Sequence, residues 1–99
     1  MDDNQDNFNL LRKISKKPNL SQRKLASELG FSLGKLNYCL RALKDKGLVK
    51  IKNFKESPKK MGYMYILTPK GIEQKTKLTI NFMKRMMKEY RELQNDIKK

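Results

Sequence analysis

The sequence predicts a mainly α fold with a single β-hairpin and a long last helix. Three observations carry this. Two short amphipathic stretches meet at a glycine within residues 20–46, the apolar period changes to two on either side of a basic loop, and an apolar heptad runs from residue 72 onward.

Asp6 to about Lys16 reads as the first helix, with Phe8, Leu11 and Ile14 three apart along one face. Pro18 stops it, because the residue before a proline avoids the helical region. Ser21 is placed to cap the second helix, and Leu20 to staple onto Leu25. Leu25 and Leu29 share a face. Gly30 can take the left-handed conformation that ends a helix, and Ser32 can cap the third one. On that third helix Leu36, Leu40 and Leu43 point inward, with Cys39 beside them as a small buried thiol. Lys35, Asn37, Tyr38, Arg41 and Lys44 face solvent. Two helices joined this way form a helix-turn-helix, whose second helix lies in the major groove of DNA.

After Gly47, Val49 and Ile51 alternate with Lys50 and Lys52, a strand with one buried face. Tyr63, Tyr65 and Leu67 share one side of a second strand. The connection, NFKESPKKMG, is polar and basic; Lys55, Lys59 and Lys60 in it are phosphate contacts or a solvated loop. A hairpin in this place makes a winged helix-turn-helix.

Thr68 and Pro69 open the last helix with a cap and a proline at its first position. Ile72, Thr76, Thr79, Met83, Met86, Tyr90, Leu93 and Ile97 then recur at alternating steps of four and three, a heptad seam. Leu78, Phe82 and Met87 lie off it, and the first two are the natural surface for packing on the core. A helix from Pro69 to Ile97 is about 43 Å long at roughly 1.5 Å per residue, more than so small a domain covers. Its distal half needs a partner, and an identical chain is the simplest one. Residues 1–68 are therefore read as a winged helix-turn-helix DNA-binding domain. Residues 69–99 are its C-terminal dimerisation helix, within one compact unit. Lys84, Arg85 and Lys88 form the wet face of that helix.

The chain has 99 residues, 24 Lys and Arg against 10 Asp and Glu, and a net charge of +14. Residues 1–10 hold three acids and no base, residues 11–70 hold 16 bases and 3 acids, and residues 71–99 hold 8 and 4. The excess thus centres on the helix-turn-helix, where it attracts a polyanion. With no His and one Cys, there is no imidazole base, no intramolecular disulfide and no metal-ligand set. Phosphate loops, nucleophile elbows and paired carboxylates are missing too, so neither an enzyme nor a cofactor is expected. No apolar run approaches the roughly 18 residues of a membrane span, and the acidic start lacks signal-peptide features. A cytoplasmic location without membrane contact is expected.

LSQRKLASELGFS, LRALKDKGLVK and YILTPKG, in that order, resemble the junctions of the MarR-type winged-helix transcriptional regulators. SLGKLNYCLRALKDKGLVKIKNF with GYMYILTPKGIEQK is similar to the small bacterial subgroup called EPS-associated, named for exopolysaccharide and other surface-polysaccharide loci. The resemblance implies that Ser32, Gly34, Lys35, Asn37, Tyr38 and Arg41 face the groove. Ser32 is a helix cap first. Asn37 suits an adenine edge, Arg41 or Lys35 a guanine edge, and Tyr38 a thymine methyl or a phosphate. Larger members carry further terminal helices and an effector pocket against them. This chain has little beyond one short first helix and one long last helix, so a small-molecule effector is not expected. The family's wing has an Asp-x-Arg pattern, whereas SPKKMG stands here; lysine lacks the planar fork of arginine, which leaves phosphate binding to Lys59 and Lys60.

Two functions compete. One is a homodimeric, sequence-specific regulator on double-stranded DNA. The other is a basic winged-helix adaptor for RNA or protein without operator specificity. A base-reading face on the third helix favours the first.

Overall fold

The computed structural model describes residues 3–53 and 63–98, with side chains described for 5–52 and 65–98. Its elements are α1 (Asp3–Lys16), α2 (Gln22–Leu29), α3 (Leu33–Asp45), β1 (Val49–Asn53), β2 (Tyr63–Leu67) and α4 (Pro69–Ile97). The fold is the mainly helical winged helix that the sequence predicts, with the two strands antiparallel and Ile51 opposite Tyr65. Helix α1 begins three residues earlier than its apolar spacing suggests.

Local chemistry ends the helices where residue type says it should. Ser21, Ser32 and Thr68 cap α2, α3 and α4, accepting from the backbone N–H of Lys24, Lys35 and Gly71 at 3.2, 3.1 and 3.0 Å. Each satisfies one donor that a helix start leaves unpaired. Gly30 closes α2 with φ 72°, a left-handed conformation that costs a side-chain-bearing residue more than glycine. Leu48 N donates to Leu43 O at 2.9 Å, turning the chain out of α3 and into β1.

The core lies between α1, α2, α3 and the base of the hairpin. Phe8, Leu11 and Ile14 are buried from α1, Leu25 from α2, and Leu36, Cys39, Leu40 and Leu43 from α3. Leu10, outside the predicted three-residue spacing, is also fully buried, because α1 is enclosed on two sides by α3 and α4. Leu20 and Leu78 pack on the edge of this cluster. Phe82 meets Phe8 with ring centroids 5.8 Å apart, so α4 is held on the core to about its midpoint. The strand is buried only at its base. Val49 is 2% exposed but Ile51 is 40% exposed, which corrects the expectation of one continuously buried face.

Two ties join the outer elements. Lys17 and Lys13 reach Glu28 at 3.0 and 3.5 Å, linking α1 to α2. The hydrogen bond from Lys17 holds the Glu28 carboxyl below its ordinary value of 4.5. Lys75 donates to Ser15 Oγ at 3.3 Å, linking α4 to α1.

The tightest packing is at the root of α4. A Cβ on Gly71 would lie 1.9 Å from Leu48 O, so the helix can approach the β1 backbone only because residue 71 has no side chain. Thr68 N donates to Leu48 O at 3.0 Å and Thr68 Oγ1 to Gly47 O at 2.6 Å. Gly34 differs, because a Cβ there meets nothing within 4 Å in this chain. Gly71→Ala is therefore expected to destabilise the fold by about 1–3 kcal/mol through overpacking. Gly34→Ala is expected to stabilise it by up to about 1 kcal/mol, because glycine is the poorer helix former. Chemical denaturation of the two variants checks the pair; equal effects of the same sign contradict this assignment.

Candidate nucleic-acid interface

Helix α3 buries Leu36, Cys39, Leu40 and Leu43, and its period of 3.6 residues turns the intervening positions outward. Asn37, Tyr38, Arg41 and Lys44 are all exposed, Tyr38 to 67%. The first turn carries no acid, so Ser32, Gly34 and the amide ends present the positive pole of the helix to solvent. The open space at Gly34 lets a ligand approach the backbone closely there.

Lys35 is placed differently from the solvent-facing position the sequence suggested. It is half-buried, its Nζ lies 3.0 Å from Asp6 Oδ2 on α1, and it sits 4.5 Å from the centroid of the Phe31 ring. In this arrangement it belongs to the contact between α1 and α3, apart from Asn37, Tyr38 and Arg41. The reason is rotational: position 35 lies on the side of α3 that turns back to α1, and the acid that holds it is remote in sequence.

A groove of about 270 Å³ runs between α3 and the hairpin. Asn37, Arg41 and Lys44 line one side, and Ile51 and Tyr65 the other. Gln22, from the first turn of α2, donates to the Tyr65 hydroxyl and ties that wall in place. Gln22, Ile51 and Leu33 were not among the residues read as functional. Leu33, 43% exposed, stands one helical turn before Asn37 on the same side, a spacing that marks it in the sequence alone. Ile51 and Gln22 carry no such local signal, since only the pairing of β1 with β2 and the packing of α2 bring them here. Lys50 and Lys52 are exposed on β1 beside the groove. Lys55, Lys59 and Lys60 lie outside the described residues.

The proposed dimer residues lie on one face of α4, exposed except for the half-buried Thr79. Ile72, Met83, Met86, Tyr90, Leu93 and Ile97 are 50–84% exposed. Thr76 and Thr79 return their hydroxyls to the backbone carbonyls of Ile72 and Lys75. Ile80 and Met87, 46% and 52% exposed, widen the apolar face beyond the seam. The molecule measures 61 × 26 × 23 Å, its length set by α4 extending past the core.

A cleft of about 230 Å³ lies between α1, α3 and α4, floored by Leu11, Leu43, Leu48 and Leu78 with Lys46 and Lys70 beside it. The expectation that no small molecule acts on the chain gains no support from this geometry. Among the described residues, no cluster of three or more His, Cys, Asp or Glu is arranged to hold a metal, and no helix is long and apolar enough to cross a membrane.

A family model described as winged helix-turn-helix DNA-binding matches residues 7–50. No curated protein sequence matches the chain. Among solved structures, the repressor CouR bound to a 23-mer DNA duplex superposes with a TM-score of 0.73 at 22% identity, over 87% of this chain and 59% of its own. FabT of Streptococcus pneumoniae, in complex with DNA, gives 0.65 at 22% identity, over 87% and 58%. MarR of Staphylococcus aureus, in complex with salicylate and kanamycin, gives 0.66 at 20% identity, over 92% and 68%. The likeness is one of fold, a winged helix shared with these proteins. The chain spans between about half and two thirds of these proteins' length, 58–68% for the three compared.

Proposed function

We propose that this chain is a sequence-specific transcriptional regulator that binds double-stranded DNA as a homodimer. The observation that carries the reading is the outward face of α3, where Asn37, Tyr38 and Arg41 stand exposed beyond a first turn without acids. These side chains suit base edges, and two of the structural neighbours are held on DNA. Asn37 and Arg41 are assigned to bases, Ser32, Gly34 and the amide end of α3 to phosphate, and Lys44 to the groove rim. Lys55, Lys59 and Lys60 on the wing supply charge to the backbone. Lys35 joins them only after leaving Asp6. The resemblance to the EPS-associated subgroup supports surface-polysaccharide genes as targets, and a cytoplasmic site of action follows from the role.

The exposed stripe of α4 supports the homodimer, because six large apolar side chains in a row cannot be covered by the lobe they project from. A two-fold dimer mirrors itself in its operator, with half-sites about one helical turn, roughly 10 bp, apart.

Selection from a random DNA pool tests the function directly, and an inverted repeat is the expected product. An unenriched pool contradicts it and favours the adaptor. On the selected duplex, Asn37→Ala and Arg41→Ala are each expected to cost about 1–3 kcal/mol and to relax preference at one base position. Lys59→Ala and Lys60→Ala are expected to weaken all sequences alike and to flatten the salt dependence by about one unit for each phosphate left unneutralised. Wing lysines that change which sequence is chosen, with Asn37 and Arg41 inert, reverse the roles. For the dimer, truncation after Lys84 is expected to leave a folded monomer with much weaker DNA binding, read by sedimentation. A full-length chain that sediments as a monomer overturns this assembly.

A further inference from the structure

We infer that the distal half of α4 pairs with a second copy of itself in parallel and in register, so that both DNA-binding lobes stand at one end of the pair. The inference rests on the homodimer proposed above and adds the direction of its helices. It comes from how charge is divided around the helix.

From Met83 to Lys98 the helix has three faces. The apolar face holds Met83, Met86, Met87, Tyr90, Leu93 and Ile97, all exposed. The two flanks beside it differ in sign. One flank is basic, carrying Lys84, Lys88, Arg91 and Lys98 with no acid. The other carries all three acids of the segment, Glu89, Glu92 and Asp96. Its one base is Arg85, and that guanidinium lies 6.0 Å from the centroid of the Phe82 ring, over the side chain that packs on this chain's own core. Arg85 therefore belongs to the root of the helix rather than to its free flank.

Direction decides which flanks meet. In a parallel pair with two-fold symmetry, the flank on the left of one seam lies along the flank on the right of the other. Here that sets Glu89, Glu92 and Asp96 of one helix along Lys84, Arg91 and Lys98 of its partner. In an antiparallel pair, like flanks face each other, acid along acid and base along base. Each direction buries the same apolar seam, so charge is what separates them, and like charges held side by side oppose assembly. Register follows from the seam, because Met83, Tyr90 and Ile97 meet their own copies only when the helices are not offset.

Thiol cross-linking tests the direction. Ile97→Cys and Met83→Cys are made separately in the full chain, with the unaltered protein, whose only thiol is the buried Cys39, as control. A disulfide requires Cα atoms within about 7 Å. Parallel pairing predicts that each variant alone oxidises mostly to a linked dimer while the control does not. In an antiparallel pair matched over the seam, position 97 is about 21 Å from its copy, at roughly 1.5 Å per residue for the offset. In that case neither variant links alone and only their mixture does, which overturns the inference and leaves the dimer standing. Chains that sediment as monomers and link in no combination overturn the dimer and the inference together. Dimers that link in no combination remove the seam itself.

Discussion

The contact between Gly71 and the carbonyl of Leu48 is the constraint on which the arrangement depends. Four pieces of chain meet there: the end of α3, the start of β1, the end of β2 and the first turn of α4. Thr68 caps α4 with its hydroxyl oxygen and uses the same hydroxyl to donate to Gly47 O, while its N–H donates to Leu48 O. A side chain at residue 71 would occupy the space of that carbonyl. One threonine and one glycine thus fix how far the hairpin stands from α3 and where α4 points. Both consequences bear on the proposed function, since the first sets the groove beside Asn37 and Arg41 and the second sets where the proposed partner is met.

The charged groups sort by the same geometry. The described cations of β1 and the outer side of α3 surround the groove, whereas Asp6 on α1 meets α3 from behind. Asp6 takes Lys35 at 3.0 Å, so one cation of α3 is already neutralised within the lobe. A partly exposed pair of this kind is worth little to stability, which leaves Lys35 exchangeable between its carboxylate and a phosphate. On the proposed function, affinity for a polyanion then rests on Arg41, Lys44 and the hairpin lysines more than on the full count of bases.

How much of this was legible in the sequence depends on the range of the interaction. Ser21, Gly30, Ser32, Thr68 and Pro69 could be read because a cap acts within one turn of its own helix. The inward row of α3 and the stripe of α4 could be read because helical period is a property of the chain itself. Leu10, Ile51 and Lys35 could not. Each is decided by an element distant in sequence: the enclosure of α1 from two sides, the point where the core stops under the hairpin, and an acid on another helix. Gly71 was visible as part of YILTPKG, yet its reason for being glycine appears only when Leu48 is placed against it. The direct neighbours in the groove, Gln22 and Tyr65, are likewise joined across 43 residues of chain.

On the proposed function, α3 reads DNA at a fixed distance from the hairpin and a second chain covers α4, which accounts for the exposed faces of both. The most direct test is a methylation-protection footprint on a selected duplex, since guanine N7 lies in the major groove and adenine N3 in the minor. The account predicts protection of guanine N7 in two patches on one face of the duplex, about 10 bp apart, both weakened in Arg41→Ala. A single patch, or protection confined to adenine N3, contradicts it.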